Sequence, residues 1–421
     1  MTRFQTVNIL LSTSIICYDI DMRICIVNDY SLVHIGGAVT SLLEQKKSLE
    51  SNGHTVFVLQ LGQPVPDDKI DQSNFLFVKP TFTTPTAFYN LPFIFGTKKN
   101  YRKVKQLLID NKIEVVHFQS EFSISYITMK VAKELNIPCV FTIHTFFWEF
   151  NGKFGHKLIA PLVRFMFEST IKQKIFFEPL TGNPVEQMLK NITLSLAKQS
   201  DAIISPSQHQ LNTIQKSSIK TPAYVVPNPF IAPADSAPAK IIDNTEHPFR
   251  MVWIGRCAPE KRPIQFLQAI TAASKQTSKK FYVDFIGSGG LLPTMQKDFQ
   301  SDTIIFHGQQ PHNKIVEYID QSDIVVLSSY HFDNQPMIIA EGVTRFRPIF
   351  YCDERLTEGL QYAGYLTKDE SVESMTAAIV SLVEDPKITY DLSLGAQKSS
   401  YIFSPETYSK TVIGIYSSIV K

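Results

Sequence analysis

The chain has 421 residues, of which 44% are hydrophobic and 19% charged, and its net charge at pH 7 is +2. That length holds two or three domains with a sizeable core. The near-neutral balance argues against a nucleic-acid binder, although the part from Met22 to Pro206 is mildly basic and the rest mildly acidic.

Taken in chain order, residues 1–21 contain "VNILLSTSIICY". This could serve as a short signal-peptide core, but no good cleavage site follows and a strand starts at once in "MRICIVND". We read 1–21 as an N-terminal extension outside the fold, with an anchor or signal as the alternative. "RICIVND" is a strand, "GGAVTSLLEQKKSLESNG" a helix ending at Gly53, and "HTVFVLQLG" a strand. "IEVVHFQS", "YITMKVAKELN" and "IPCVFTIHT" repeat the pattern, and "SDAIISPS" adds a strand. Short continuous apolar runs alternating with helices imply a parallel sheet covered on both faces.

The stretch from Trp148 to Leu196 breaks this rhythm. Its segment "GHKLIAPLVRFMFESTIKQKIFF" puts apolar residues on one helical face and His156, Lys157, Arg164, Lys172 and Lys174 elsewhere. It is either a helical excursion packed on the domain or an interfacial membrane helix or acceptor-binding lid. A second basic-aromatic run, "LPFIFGTKKNYRKVK", lies in the same half.

After the Pro- and Ala-rich "PNPFIAPADSAPAK", a second strand-helix series starts at "FRMVWIGR" and passes through "FYVDFIGSGG", "TIIFHGQ", "DIVVLSS" and "RPIFYCD". The final "SPETYSKTVIGIYSSIVK" is an amphipathic helix with no strand after it, expected to pack back across the domain junction. The boundaries expected are 22–215, with 403–421 packing back, and 216–402. Five cysteines (Cys17, Cys25, Cys139, Cys257, Cys352) show no paired spacing, which suits reduced structural thiols in the cytosol. No run approaches the ~18 uninterrupted apolar residues of a spanning helix.

Ligands of such sheets lie beyond the carboxyl ends of the strands, so polar residues there are the candidates. Gly36 and Gly37 precede a helix whose N-terminus favours anions, though many tight turns look alike. His144 ends a strand; a lone histidine is more often packed or solvated. Arg256 and Lys261 follow a strand, a planar fork and a point charge suited to a diphosphate, or else a solvated basic loop with Arg262. Gly287 closes a strand in a glycine turn, and His307 and Gly308 follow another. Asp333 and Glu341 flank "NQPMIIA". Either Asp333 or Asn334 simply caps a helix beginning near Pro336, or the helix mouth faces phosphates while the carboxylates grip a sugar and a ribose.

Taken together, "GGAVTSL", "HFQSEFS" with "IHTF", "VVPNPF", "IGRCAPEKRP", "GSGG" and "DNQPMIIAEG" make the chain, from about Met22 onward, resemble the retaining glycosyltransferases of family four, glycosyltransferase group 1. The resemblance implies an α/β architecture of two doubly wound Rossmann-like domains facing across a cleft, the GT-B fold. It implies that Gly36, Gly37, Arg256 and Lys261 hold a donor pyrophosphate, and that His144 and Asp333 act at the donor sugar. Gly287, His307, Gly308, Asn334, Gln335, Pro336 and Met337 would line the donor, and Glu341 would bind ribose. The family's hallmark is two glutamates with seven residues between; here Asp333 replaces the first, one methylene shorter, which leaves the donor hexose open.

The implied reaction moves a hexose from a UDP- or GDP-sugar to a hydroxyl with retention. The domains close around the donor, and the leaving phosphate oxygen takes the acceptor's proton in a front-face attack. No metal or other cofactor is expected, and the triplet Asp19–Asp21 is set aside as preceding the first strand. The acceptor expected is a membrane lipid such as a diacylglycerol or glycolipid, because the basic, aromatic front half suits an anionic bilayer surface. The protein would then be cytoplasmic and peripheral on the inner face of the membrane. A soluble or polysaccharide acceptor, a nucleotide-sugar epimerase and a non-catalytic nucleotide-sugar-binding subunit are the competing readings.

Overall fold

The computed structural model describes residues 21–30, 37–64, 71–84, 90–145, 147–148, 159–242 and 247–420. The first domain carries β1 (Arg23–Asn28), β2 (Thr55–Leu61), β3 (Phe75–Val78), the short antiparallel pair β4 (Phe82–Thr83) and β5 (Pro92–Phe93), β6 (Val115–Phe118), β7 (Cys139–Thr142), β8 (Ala202–Ser205) and β9 (Ala223–Val225). Its helices are α1 (Gly37–Glu50), α2 (Lys98–Asp110), α3 (Ser123–Glu134), α4 (Ile159–Ile171), α5 (Pro184–Gln199) and α6 (Gln208–Ile214). The second domain has β10 (Phe249–Ile254), β11 (Phe281–Ile286), β12 (Ile304–Gly308), β13 (Ile324–Leu327), β14 (Ile349–Tyr351) and β15 (Gly364–Leu366). Around these lie α7 (Pro263–Ala273), α8 (Leu292–Phe299), α9 (His312–Gln321), α10 (Met337–Thr344), α11 (Leu360–Ala363), α12 (Val372–Glu384), α13 (Pro386–Ser399) and, at the chain end, α14 (Pro405–Ile419).

The sheet orders are β3-β2-β1-β6-β7-β8-β9 and β12-β11-β10-β13-β14-β15, with parallel ladders throughout. In each, the winding reverses beside the first strand, between β1 and β6 and between β10 and β13; ligands of open α/β sheets bind at such points. The strands read as unbroken apolar runs because both faces are covered. Along β1, Cys25 and Val27 enter one core, and Ile24 and Ile26 the other. Each such side chain contributes ~1.5–3 kcal/mol on burial.

The expected boundary at 215 needs correcting. β9 pairs with β8, so the first sheet runs to Val225 and the chain crosses over in the proline-rich stretch after it. At three half-buried residues between prolines, β9 is too short to leave a sequence signal. The chain crosses back beside this point, where Phe230 N–H donates to the Phe403 carbonyl at 3.0 Å. Beyond it, α14 lies on the first domain. Tyr408, Val412, Ile415 and Tyr416, one helical stripe, join Ile24, Ile26, Val39 and Leu42 in a single core.

The Trp148–Leu196 stretch divides. α5 buries Ile192, Leu194, Leu196 and Ala197, whereas α4 buries Phe167 and Ile171 and exposes Leu162, Phe165 and Met166. Among the described residues no helix is long and apolar enough to cross a membrane, and Cys25, Cys139, Cys257 and Cys352 are buried free thiols. The stretch before Asp21, with Cys17, together with Gly36, His156 and Lys157, lies outside the described residues.

Candidate active site

The two domains meet at the carboxyl ends of both sheets. From β13 the chain passes through Ser328 and Ser329 into the loop that ends at Pro336, where α10 begins. Ser328 Oγ accepts from Trp253 Nε1 (2.9 Å) and donates to the Lys261 carbonyl (2.7 Å), tying this loop to the one after β10. Lys261 Nζ lies 2.5 Å from Asp333 Oδ1, with both side chains largely buried. Ser329 Oγ donates to the other Asp333 oxygen.

The next two residues reach into the first domain. Asn334 Oδ1 accepts from Ser207 Oγ (2.5 Å), beyond β8, and its Nδ2 donates to the Ile143 carbonyl (3.4 Å), beyond β7. Gln335 Oε1 accepts the Asn228 N–H (2.9 Å). All three polar side chains before α10 are therefore engaged elsewhere. The capping role open to Asp333 or Asn334 is not taken up: Pro336 stands at the cap position and no side chain caps the helix. The eight-residue α10 thus begins without a side-chain cap, four residues after the Asp333 that holds the Lys261 ammonium, and its N-terminus carries the positive end of the helix dipole.

His144 follows the Ile143 that Asn334 touches. Its Nε2 meets Gln119 Oε1, and burial lowers its pKa to about 4, so it is neutral at pH 7. A carboxamide oxygen can only accept, so Nε2 carries the proton and Nδ1 keeps the lone pair. Gln119 Nε2 in turn is 3.2 Å from His117 Nε2, which also meets Thr142 Oγ1 at 2.7 Å. His117 Nδ1 is 2.6 Å from the Tyr416 hydroxyl. A hydrogen-bonded chain thus runs from α14 through His117 and Gln119 to His144. Sequence reading singled out none of these three supporting residues. The alternation in "HFQ", which puts His117 and Gln119 on one face of β6 and its extension, was the available signal.

Other expected residues sit differently. Arg256 is exposed and pairs with Glu260 of its own loop at 2.7 Å; it does not join Lys261 at Asp333. Gly37 opens α1 with free space where a Cβ would be. Gly287, expected to line the donor, needs to be glycine for an internal reason: at φ +138° a Cβ would lie 1.8 Å from the Gly255 carbonyl oxygen. Gly289, at φ +153°, likewise abuts Cys257 backbone. These glycines let the turn after β11 stack on the Arg256 loop, where Gly255 N–H donates to Ile286 (3.0 Å) and Cys257 N–H to Ser288 (2.9 Å).

His307 and Gly308 are part of β12 rather than a loop after it. The imidazole is committed to Asp284 (2.7 Å) and the Tyr318 hydroxyl (3.0 Å), and the Gly308 carbonyl accepts the Gly287 N–H (2.8 Å). The side chain and that carbonyl are therefore occupied by the domain itself. Glu341 is buried, with Oε1 3.6 Å from His312 Nε2, and its neighbourhood raises the His312 pKa. Glu44 and Lys47 of α1 face the same pair across the junction; neither His312 nor Glu44 stood out in the sequence.

One trio with metal-ligand chemistry, His331, Asp353 and Glu354, brings its ligand atoms within 4.8 Å of one another. Asp353, however, already accepts from Arg355 Nε (2.9 Å) and Nη2 (2.8 Å), a guanidinium grip that competes with a cation.

Comparison with known proteins bears on the family and the fold. Residues 35–230 match Glycosyltransferase Family 4 and residues 248–385 match Glycosyl transferases group 1. An alpha-monoglucosyldiacylglycerol synthase of Acholeplasma laidlawii is 24% identical over 95% of this chain and 98% of its own. One from Streptococcus pneumoniae is 19% identical over 94% and 85%. Among solved structures, the pneumococcal O-GlcNAc transferase GtfA in complex with UDP and GlcNAc superposes with TM-score 0.66 at 11% identity, over 95% of this chain and 99% of that one. Anabaena HepE in complex with UDP and glucose gives 0.62 at 14% identity, over 94% and 100%. With both halves matched and the fold shared, the chain belongs to glycosyltransferase family four, group 1, and is a glycosyltransferase of the two-domain GT-B fold.

Proposed function

We propose that the chain transfers a hexose from a nucleotide diphosphate sugar to a lipid hydroxyl at a membrane surface, with retention at the anomeric carbon. The observation that carries this reading is the Lys261–Asp333 pair set just before the uncapped start of α10, in a crevice closed on its other side by the segment after β7 that bears His144. A pyrophosphate placed there meets the Lys261 ammonium and the helix N–H groups, which stabilise the charge that grows as the glycosidic bond to phosphate breaks. Arg256 reaches the same anion by exchanging its solvent-exposed Glu260 partner for phosphate, an inexpensive exchange because such pairs are worth little. These cations and the helix carry the role that a divalent ion has elsewhere.

Asp333, anchored by Lys261 and Ser329, offers its oxygens to the sugar hydroxyls. Neutral His144 accepts a hydroxyl hydrogen bond at Nδ1, and Glu341 takes the ribose. The acceptor hydroxyl attacks from the face the leaving phosphate departs, and its proton passes to the phosphate oxygen. The solved neighbours bound to UDP favour a UDP-hexose.

A lipid acceptor is favoured by the names of the relatives and by the surface of the first domain. On α4, Leu162, Phe165 and Met166 are 57%, 67% and 57% exposed. Gly96, just before α2, donates its N–H to Thr170 at the end of α4 (2.6 Å), so the two helices adjoin. Lys98, Arg102, Lys105 and Lys130 line a shallow cavity of about 440 Å³ there, with Glu134 as its one acid. Apolar side chains beside clustered cations are the makings of an interfacial anchor on anionic lipid. In this reading the protein works peripherally on the inner membrane face.

The test is release and transfer of sugar from a panel of nucleotide hexoses to dispersed diacylglycerol. Wild type is expected to turn over, and Arg256→Ala and Lys261→Ala to lose at least 100-fold, on the order seen when one transition-state donor is removed. A wild-type protein that binds nucleotide and never turns over would replace this reading with that of a binding subunit.

A further inference from the structure

α14 sends two tyrosines, Tyr408 and Tyr416, into the core of the first domain, and both are buried. Their hydroxyls fare differently. That of Tyr408 is buried with no hydrogen-bond partner among the described residues. That of Tyr416 lies 2.6 Å from His117 Nδ1, with the two rings edge to face at 5.7 Å. Packing alone would be served by phenylalanine at either place, so the hydroxyl wired to His117 has a further reason.

The protons behind His144 are ordered by one group, the Gln119 carboxamide. Its oxygen faces His144 and its nitrogen faces His117. A carboxamide nitrogen only donates, so His117 Nε2 holds a lone pair. Burial lowers the His117 pKa to about 3. The ring is therefore neutral, and its one proton sits on Nδ1, where the Tyr416 oxygen accepts it. Thr142 Oγ1, 2.7 Å from Nε2, turns its hydrogen to suit and does not choose the tautomer. His117, Gln119, Thr142 and Tyr416 are all buried, which leaves a mismatch without solvent to relieve it.

The reverse order also closes, but only as a whole. If the His117 proton moves to Nε2, Thr142 Oγ1 accepts it. Two N–H groups then face each other at 3.2 Å, and the carboxamide must turn over. Its N–H now meets His144 Nε2, which becomes the acceptor, and the His144 proton moves to Nδ1. Each ring keeps one proton throughout. The Tyr416 hydroxyl holds the first order, because without it His117 Nδ1–H is a buried donor with no acceptor.

We propose that Tyr416 is a positioning residue for the transfer: through His117 and Gln119 its hydroxyl keeps the His144 proton on Nε2, so that Nδ1 offers a lone pair to a sugar hydroxyl. The role deepens the transferase reading and rests on it. His144 is half-buried and follows Ile143, whose carbonyl Asn334 of the second domain reaches at 3.4 Å. The relay thus carries a choice made in the C-terminal helix to the wall of the crevice.

Nitrogen NMR of isotope-labelled histidines reports which ring nitrogen carries the proton, with signals assigned from His144→Asn and His117→Asn. Wild type is expected to show the proton on His144 Nε2 and on His117 Nδ1. Tyr416→Phe is expected to show both reversed. It is also expected to lose about five- to tenfold in kcat/KM for the donor, the worth of one hydrogen bond, in transfer from the same panel of nucleotide hexoses to dispersed diacylglycerol. Tyr408→Phe, which removes the unwired hydroxyl from the same helix, is expected to change neither.

A wild-type His144 protonated at Nδ1 overturns the proposal, whatever the variants do. So does a Tyr416→Phe spectrum like that of wild type, or a reversal shared by Tyr408→Phe, which marks the packing of α14 as the cause. Reversed spectra with unchanged transfer overturn the positioning role. Wild type that gives the expected spectra and is inert with every donor overturns the transferase reading instead.

Discussion

Gly287→Ala separates two reasons for a glycine at a strand end. If glycine is there for a ligand, the variant folds normally and binds donor poorly. If it is there for the backbone, the variant is unstable before any ligand arrives. The structure favours the second. The residue sits at φ +138°, and a Cβ would come 1.8 Å from the Gly255 carbonyl oxygen, a backbone atom that cannot swing aside. Backbone strain in that region costs ~1–3 kcal/mol. Moving the Gly255–Cys257 turn away also stretches the Gly255 to Ile286 and Cys257 to Ser288 hydrogen bonds, each worth about 1 kcal/mol. The sum, ~3–5 kcal/mol, is a large share of the ~5–15 kcal/mol that holds a domain together. Urea unfolding followed by tryptophan fluorescence suits the question, because Trp253 lies next to the affected turn. Donor KM should rise as well, since the displaced turn carries Arg256. A Gly287→Ala protein within ~1 kcal/mol of wild type, with donor binding reduced tenfold or more, would refute the reasoning and restore the ligand explanation.

Other outcomes are expected from the same geometry. Lys261→Met and Asp333→Asn should each destabilise and should couple by ~1–3 kcal/mol in a double-mutant cycle read by urea denaturation, because either change alone leaves a largely buried charge unpaired; additive effects would show that the pair does not act as a unit. Arg256→Ala should leave the melting temperature within about 1 °C, given its exposed partner, while donor turnover collapses. Glu121, fully buried three residues after β6, has a folded pKa of about 8 against an ordinary 4.5, so its contribution to stability is fully present below pH ~4.5 and falls as pH rises to ~8, because the unfolded chain ionises first. Glu121→Gln should remove that slope and gain relative stability by up to ~4–5 kcal/mol at pH 8, read as denaturation midpoints at pH 5 and pH 8; parallel curves for the two proteins would contradict the assignment. Sedimentation with anionic vesicles should fall about tenfold or more for Phe165→Asp and for Lys172→Glu with Lys174→Glu, at ~1 kcal/mol per cation near the surface; unchanged sedimentation would favour a soluble acceptor.

The alternation of strands and helices, the two parallel sheets and the placing of His144, Lys261, Asp333 and Glu341 at carboxyl strand ends or helix starts were all legible from the chain alone. These are local matters: a strand buried on both faces must be apolar throughout, and the turn that follows must be polar or glycine-rich. Tertiary structure decided which partner each side chain meets. Lys261 finds Asp333, 72 residues away, while Arg256 turns to Glu260. Asn334, legible as a cap or a donor contact, and Gln335, legible as a donor contact, clasp Ser207 and Ile143 of the first domain and Asn228 of the crossover. His307 is absorbed by Asp284 and Tyr318. The support of His144 comes from Tyr416, 299 residues beyond His117. Periodicity reports which face of an element is buried; it carries no information on what is brought against that face, because pairing across hundreds of residues depends on how both sheets and the returning C-terminal helix pack together.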